Sequence, residues 1–319
     1  MIVVRDGDAR PSLGTRSVVA LGVFDGLHRG HQRLIAKVVE LARRHDATAT
    51  IATFDPHPAE VLEPVHAPRL LATLDQRLEG LEALGVAAVR IVTFDHALAL
   101  ESASSFIERV LVGELAAAVV VVGEDFRFGH ARTGDVGLLR TRGEALGFEV
   151  LASPLYGDAE RWSSSAIRRR LEVGDLDGAN AMLARPFTLR GTVGHGDARG
   201  QSLGFATANL LTAPRQQLPA AGVYAGAARA PNGEWWPAAV SVGTRPQFHE
   251  AGELLVEAHL VGFAANLYGS TLSVAFLARL RAQATYADVD ELVVQMSRDV
   301  SQTLEMYRKF SPSSSVLLG

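Results

Sequence analysis

The 319-residue sequence contains no cysteine. Disulfides, thiolate metal sites and a cysteine nucleophile are therefore excluded, and the composition suits a reducing compartment. A dominant charge is missing too: 31 Lys and Arg stand against 35 Asp and Glu, for a formal net charge of -4. No global field attracts a polyanion, so nucleic acid is not expected as a main partner. No apolar run is long enough to span a bilayer, and the opening Met1-Ile2-Val3-Val4-Arg5-Asp6-Gly7-Asp8 turns polar too early for a secretory signal. A cytoplasmic protein without a membrane partner is the expectation. No internal repeat is visible. What remains is ordinary globular composition, 48% hydrophobic and 21% charged, on a chain long enough for two domains.

The first half alternates short apolar runs with amphipathic stretches. Ser17–Leu21, Thr48–Phe54, Ala88–Phe94, Ala117–Gly123 and Glu149–Leu155 read as buried strands. Helical patterns near His31–His45, Asp75–Leu84, Ser102–Val112 and Asp135–Leu146 separate them, which predicts an α/β domain with a doubly wound parallel sheet. Ligands of such sheets bind beyond the carboxyl ends of the strands, so the loops after Leu21, Phe54 and Gly123 are where chemistry is sought. Two short helices, Ser164–Val173 and Leu176–Leu183, follow. The texture then changes near Ala184–Pro186 to short β-rich runs punctuated by Gly and Pro, with a hairpin signal at Pro231-Asn232-Gly233-Glu234. Expected domains are 1–185, Rossmann-like, and 186–319, a small antiparallel β-barrel closed by a helix over Val289–Tyr307.

The loop after the first strand, Gly22-Val23-Phe24-Asp25-Gly26-Leu27-His28-Arg29-Gly30-His31, runs straight into a helix. Gly22 and Gly26 let backbone approach a ligand closely, and the helix N-terminus offers N–H groups and partial positive charge to phosphate. His28 and His31 flank Gly30, whose missing side chain is expected to leave room for phosphate or ribose between two imidazole donors. A zinc site lacks further ligands at usual spacing. A second phosphate-handling element, Ser163-Ser164-Ser165-Ala166-Ile167-Arg168, opens another helix. Its hydroxyls and amides can bind phosphate oxygens while Arg168 neutralises a departing pyrophosphate. Alone, such a serine run is usually only a helix cap.

Together these two segments resemble the HxGH-type nucleotidylyltransferases, with Ser165 where that superfamily has Thr. Phe54-Asp55-Pro56-His57-Pro58 and Gly123-Glu124-Asp125-Phe126-Arg127-Phe128-Gly129 look like the flavin-site loops of the bacterial bifunctional riboflavin kinase/FAD synthetase family. The second half carries that family's kinase stretch, Gly194-His195-Gly196-Asp197 through Gly204-Phe205-Ala206-Thr207-Ala208-Asn209. Gly222-Val223-Tyr224, Ser241-Val242-Gly243-Thr244-Arg245-Pro246, Val256-Glu257-Ala258-His259 and Asn266-Leu267-Tyr268-Gly269 follow in the family's order. The resemblance covers essentially the whole chain.

It implies riboflavin phosphorylation to FMN by MgATP in the barrel and adenylylation of FMN to FAD, with release of pyrophosphate, in the N-terminal domain. ATP and flavins would be the partners. Gly22, Phe24, Asp25, Gly26, Gly30, Ser163, Ser164 and Ser165 would hold the ATP of adenylyl transfer, with His28, His31 and Arg168 catalytic. Phe54, Pro56, Pro58, Asp125 and Phe128 would contact flavin. In the kinase, Gly194, Gly196, Thr207 and Asn209 would hold ATP, Thr207 and Asn209 also Mg²⁺, and Glu257 would be the base. Ala206 replaces the family's Pro and Gln201 a usual basic residue, a kinase motif slightly degraded without loss of a catalytic group. Arg245, Gln247 and the order Gly129-His130-Ala131-Arg132 are further departures. A rival reading keeps only adenylyl transfer, with the barrel a binding module; a second makes the chain a flavin sensor.

Overall fold

The computed structural model describes residues 1–8, 16–195, 204–244 and 254–310. They form two compact units, 1–68 with 74–163, and 69–73 with 164–319.

In the first unit six parallel strands form one sheet: β1 (Ile2–Val4), β2 (Ser17–Leu21), β3 (Thr48–Asp55), β4 (Ala88–Thr93), β5 (Ala117–Gly123) and β6 (Glu149–Ser153), in the order β1-β4-β3-β2-β5-β6. The central strands read as unbroken apolar runs because helices cover both faces. On one face α1 (Arg29–Arg44) lays Leu34, Ile35, Val38 and Leu41 over Val18, Ala20, Ile51 and Val89. On the other, Phe106, Ile107, Leu111 and Leu139 cover Val19, Leu21, Val120 and Val122. Chain direction across the sheet reverses at β2, whose neighbours are β3 and β5. The loops after β2 and β5 therefore flank the topological switch point, the crevice where such sheets bind ligands.

The five expected strands are present. The edge strand β1 was not foreseen: three residues are too few for periodicity to register, and its register with β4 (Ile2 opposite Ala88) is long-range. The helix expected over Ser102–Val112 begins as α-helix at Ala103–Phe106 and continues as π-helix over Ile107–Glu114.

The second unit begins with the helices Ser164–Val173 and Leu176–Leu183, at the expected bounds. Strands β7 (Phe187–Gly194), β8 (Ala208–Thr212), β9 (Gly222–Arg229), β10 (Trp235–Thr244), β11 (Leu254–Leu260) and β12 (Thr271–Arg281) close into an antiparallel barrel, β10-β11-β8-β7-β12-β9. Its interior is solid core: Tyr224, Phe187, Phe276, Val240, Val242 and Ala258 are all fully buried. The helix Val289–Lys309 packs on the barrel through the Tyr307 hydroxyl, which donates to the Trp235 carbonyl at 2.6 Å, and through the Asp299 carboxylate on Arg281. The hairpin expected at Asn232-Gly233 joins β9 to β10, with Gly233 at φ 87° and the Asn232 side chain accepting from the Glu234 amide at 3.1 Å.

Candidate active sites

The loop between β2 and α1 is tightly specified. Phe24 and Leu27 hold left-handed backbone at φ 55° and 45°, both buried, with Gly26 at φ 76° between them. A side chain at Gly22 would approach the Phe24 ring to 3.2 Å, and one at Gly30 the His28 ring to 3.1 Å. His28 caps α1 by accepting the His31 amide on Nδ1 at 3.4 Å. Its imidazole stacks on that of His31, centroids 3.7 Å apart. This corrects the expectation of a phosphate or ribose between the two rings: they lie against each other, and what Gly30 accommodates is the His28 ring.

Burial, and then Arg161, lowers the pKa of His28 to about 4; burial, and then His28, holds His31 well below its ordinary value. Both imidazoles are thus neutral at neutral pH. With Nδ1 of His28 accepting, its proton belongs on Nε2, available to donate. His31 Nδ1 is buried with no hydrogen-bond partner among the described residues.

A cleft of about 200 Å³ opens over this loop, lined by Gly22, Phe24, His28, Gly30, His31, Gly123, Asp125, Phe126, Tyr156, Arg161, Trp162 and Ser163 among others. Five expected residues of the nucleotide loop, with Ser163 and Asp125, thus meet in one crevice. Asp25 and Gly26 do not line it: both are buried, and the Asp25 carboxylate interacts with Arg77. Ser164, Ser165 and Arg168 belong to the first helix of the second unit, where Arg168 Nε donates to the Arg69 carbonyl at 2.5 Å. Sequence reasoning missed Trp162. Its ring is 4% exposed and lies under the guanidinium groups of Arg29 and Arg33, 3.8 and 4.7 Å from the centroid. Its place directly before the serine run was the available signal.

The second loop follows β3. Phe54 is half-buried against Phe94 and Phe106, the Asp55–Pro56 peptide is cis, Pro56 is exposed, and Pro58 is the first residue of α2 (Pro58–Leu62), capped by His57. Phe128 is 8% exposed and packs on Phe106 as part of the core, stacking on Phe126, which is the ring that lines the cleft.

The barrel's polar row is set by strand register. Gly194 pairs with Asn209, Asn209 with Glu257 and Glu257 with Ser241, across β7, β8, β11 and β10. Flanking residues Ala208, Leu210, Val256, Ala258, Val240 and Val242 are buried inside, so alternation puts Asn209, Glu257 and Ser241 on the outer wall. Thr207, half-buried, immediately precedes β8. Thr207 and Asn209 are hard oxygen donors beside a carboxylate, a thin set that fits Mg²⁺ held mainly by substrate phosphates and water. The Ala206 carbonyl, in the turn where the sequence departs from proline, hydrogen-bonds to His259 Nδ1 at 2.8 Å. Gly196, Gln201, Arg245 and Gln247 lie outside the described residues.

Comparison with known proteins matches both halves. The FAD synthetase family model covers residues 11–166 and the riboflavin kinase model residues 183–307. The bifunctional riboflavin kinase/FMN adenylyltransferase of Escherichia coli strain K12 is 35% identical over 297 residues, 93% of this chain and 94% of the relative. The chain belongs to the bifunctional riboflavin kinase/FMN adenylyltransferase family.

The member of this family from Bacillus subtilis strain 168 is 31% identical over 295 residues, 92% of this chain and 93% of its own. A crystal structure of a protein described as a macrolide-efflux protein, from Streptococcus pneumoniae, aligns with TM-score 0.85 at 30% identity, covering 98% of this chain and all of that one. Among the described residues here, no helix is long and apolar enough to cross a membrane. Both family models are matched, which favours the bifunctional enzyme over adenylyl transfer alone.

Proposed function

We propose that the chain phosphorylates riboflavin on its barrel and adenylylates the resulting FMN at the β2–α1 cleft, using ATP in both steps. We assign residues 1–185 to the transferase and 186–319 to the kinase, an assignment supported by family models that end at 166 and resume at 183. The observation that carries the transferase is the stacked His28–His31 pair at the head of α1, with His28 buried and both pKa values lowered.

In adenylyl transfer the FMN phosphate itself attacks the α-phosphorus, so no covalent intermediate is needed. Catalysis is positioning together with stabilisation of charge on the pentacoordinate phosphorus. Neutral His28 and His31 donate N–H bonds to the phosphate oxygens, the amides at Arg29 and Gly30 add the helix N-terminus, and Gly22 and Phe24 shape the cleft. Ser163, Ser164, Ser165 and Arg168 receive the pyrophosphate. Asp25 and Gly26 act beneath, keeping the loop's turn. Phe54, Pro56, Pro58 and Asp125 form the flavin side with Phe126, which Phe128 backs from the core, and flat apolar faces there suit an isoalloxazine.

In the kinase Glu257 takes the proton of the ribityl 5′-hydroxyl as that oxygen attacks the γ-phosphate. Gly194 and Gly196 would admit the phosphates closely, and Thr207 and Asn209 would hold Mg²⁺, which would supply positive charge to offset that of the ATP phosphates. A cytoplasmic location goes with these substrates and with the absence of cysteine.

Incubating the protein with riboflavin and MgATP and resolving flavins chromatographically tests the reading; FAD from FMN but no FMN from riboflavin would refute bifunctionality. Glu257→Gln is expected to abolish only riboflavin phosphorylation and His31→Ala to cripple only FAD formation. Loss of both activities in either folded variant contradicts the assignment.

A further inference from the structure

Arg77 carries a charge where charges are rarely buried. It lies on α3 (Leu74–Ala83), 3% exposed, and its guanidinium reaches away from its own helix to two loops that are far apart in sequence. Nη1 donates to the Val23 carbonyl at 2.8 Å, in the nucleotide loop, and to Thr53 Oγ1 and the Phe54 carbonyl at 3.3 and 3.4 Å, where the flavin loop leaves β3. Nη2 meets the Asp55 carboxylate at 3.5 Å. Thr53, itself buried, donates its hydroxyl to the same Val23 carbonyl at 3.2 Å.

The surrounding charge fits this role. Burial pulls the guanidinium's pKa down, and the carboxylates of Asp25 in the first loop and of Asp55 and Glu60 in the second push it back up. Each loop thus supplies acid and carbonyl to one planar fork. A guanidinium presents several donors in fixed directions, so it can hold two backbones in one relative position where an ammonium cannot. Adenylyl transfer needs that service: the nucleophile arrives on the flavin and the electrophile on ATP, and misplacement by about 1 Å can cost about 10²-fold in rate.

We propose that Arg77 is a positioning residue that couples the two substrate loops of FMN adenylylation, fixing Val23 against Phe54–Asp55 so that FMN phosphate and ATP α-phosphorus meet in line. The inference rests on the reading of Phe54–Pro58 as the flavin loop. It assigns work to a residue that touches neither substrate.

The test is steady-state FAD formation by the full-length protein over a matrix of ATP and FMN concentrations, for the native chain, Arg77→Met, Arg77→Lys and Thr53→Val. Riboflavin phosphorylation and tryptophan emission serve as controls for folding. Arg77→Met is expected to lower kcat about 10²-fold and to raise KM for both substrates, with riboflavin phosphorylation within about twofold of native. Arg77→Lys, with the charge but not the fork, is expected to regain less than half of the lost kcat. Thr53→Val, which removes the second donor to Val23 and one acceptor of Arg77 Nη1, is expected to shift kcat and both KM values in the same direction by a few-fold, and it decides the matter should Arg77→Met fail to fold. A rise in one KM alone, full rescue by lysine, or native kinetics in Thr53→Val and Arg77→Lys would overturn the proposal. Phe54→Ala separates the underlying reading: an unchanged KM for FMN there overturns the flavin loop itself, whereas a raised one with inert Arg77 variants overturns only the coupling.

Discussion

Acidification should unfold the first unit through His28, and the size of the effect follows from its burial. In an unfolded chain the imidazole titrates near 6.5, whereas in the folded loop it does so at about 4. Between these values the unfolded state binds the proton and the folded state refuses it, so stability is full above pH 6.5 and is lost as pH falls towards 4. At 1.36 kcal/mol per unit the single site accounts for about 3 kcal/mol, a large part of a typical domain's margin. His31, also lowered, works in the same direction. The assay is urea denaturation of ligand-free protein from pH 4 to 7 in a Trp235→Phe/Trp236→Phe background, so that Trp162, buried under Arg29 and Arg33, is the sole reporter. His28→Asn retains a capping oxygen for the His31 amide and lacks the titrating ring. Carboxylate contributions appear in both proteins and cancel in the difference. The native-minus-variant stability should change by about 3 kcal/mol across this range. Parallel curves for the two proteins would refute the claim that His28 is held neutral.

The same neutrality predicts that kcat/KM for ATP in FAD formation, which reports the free enzyme, shows no inflection near pH 6.5; a break there in a pH–rate profile would contradict it. Gly30→Ala pushes a methyl group to within 3.1 Å of the His28 ring, whose stacking on His31 leaves little room to yield, so kcat for FAD formation should fall about tenfold, with riboflavin phosphorylation unchanged, by chromatographic assay. In the barrel unit Asp299 is 4% exposed and accepts from Arg281 Nη2 at 2.7 Å and Gln295 Nε2 at 2.9 Å. Asp299→Ala strands that guanidinium, and urea denaturation read by barrel tryptophan emission should register a loss of about 3 kcal/mol.

Local signals were legible wherever the chemistry is contiguous. The five long strands, the helices after Ser163, the Asn232-Gly233 hairpin and the loop from Gly22 to His31 are each specified within a few residues, by apolar runs, caps and glycines acting on their neighbours. The bounds Ser164–Val173 and Leu176–Leu183 appeared unchanged in the structure. By contrast, the compact units divide after Ser163, ahead of the composition change near Ala184–Pro186, because packing rather than texture decides which core a helix joins.

Sequence by itself determined which residue types make up the β2–α1 loop and in what order the two domains come, since motif spacing and periodicity are properties of adjacent residues. Only the tertiary structure decided that His28 and His31 stack rather than straddle a ligand, that Phe126 and not Phe128 lines the cleft, and that Trp162 stacks beneath two arginines. It also decided that Glu257, Asn209 and Ser241, far apart in the chain, share one row on the outer wall of the barrel. Burial, ring contacts and strand register arise between segments separated by tens of residues, and it is burial that leaves the two histidines uncharged.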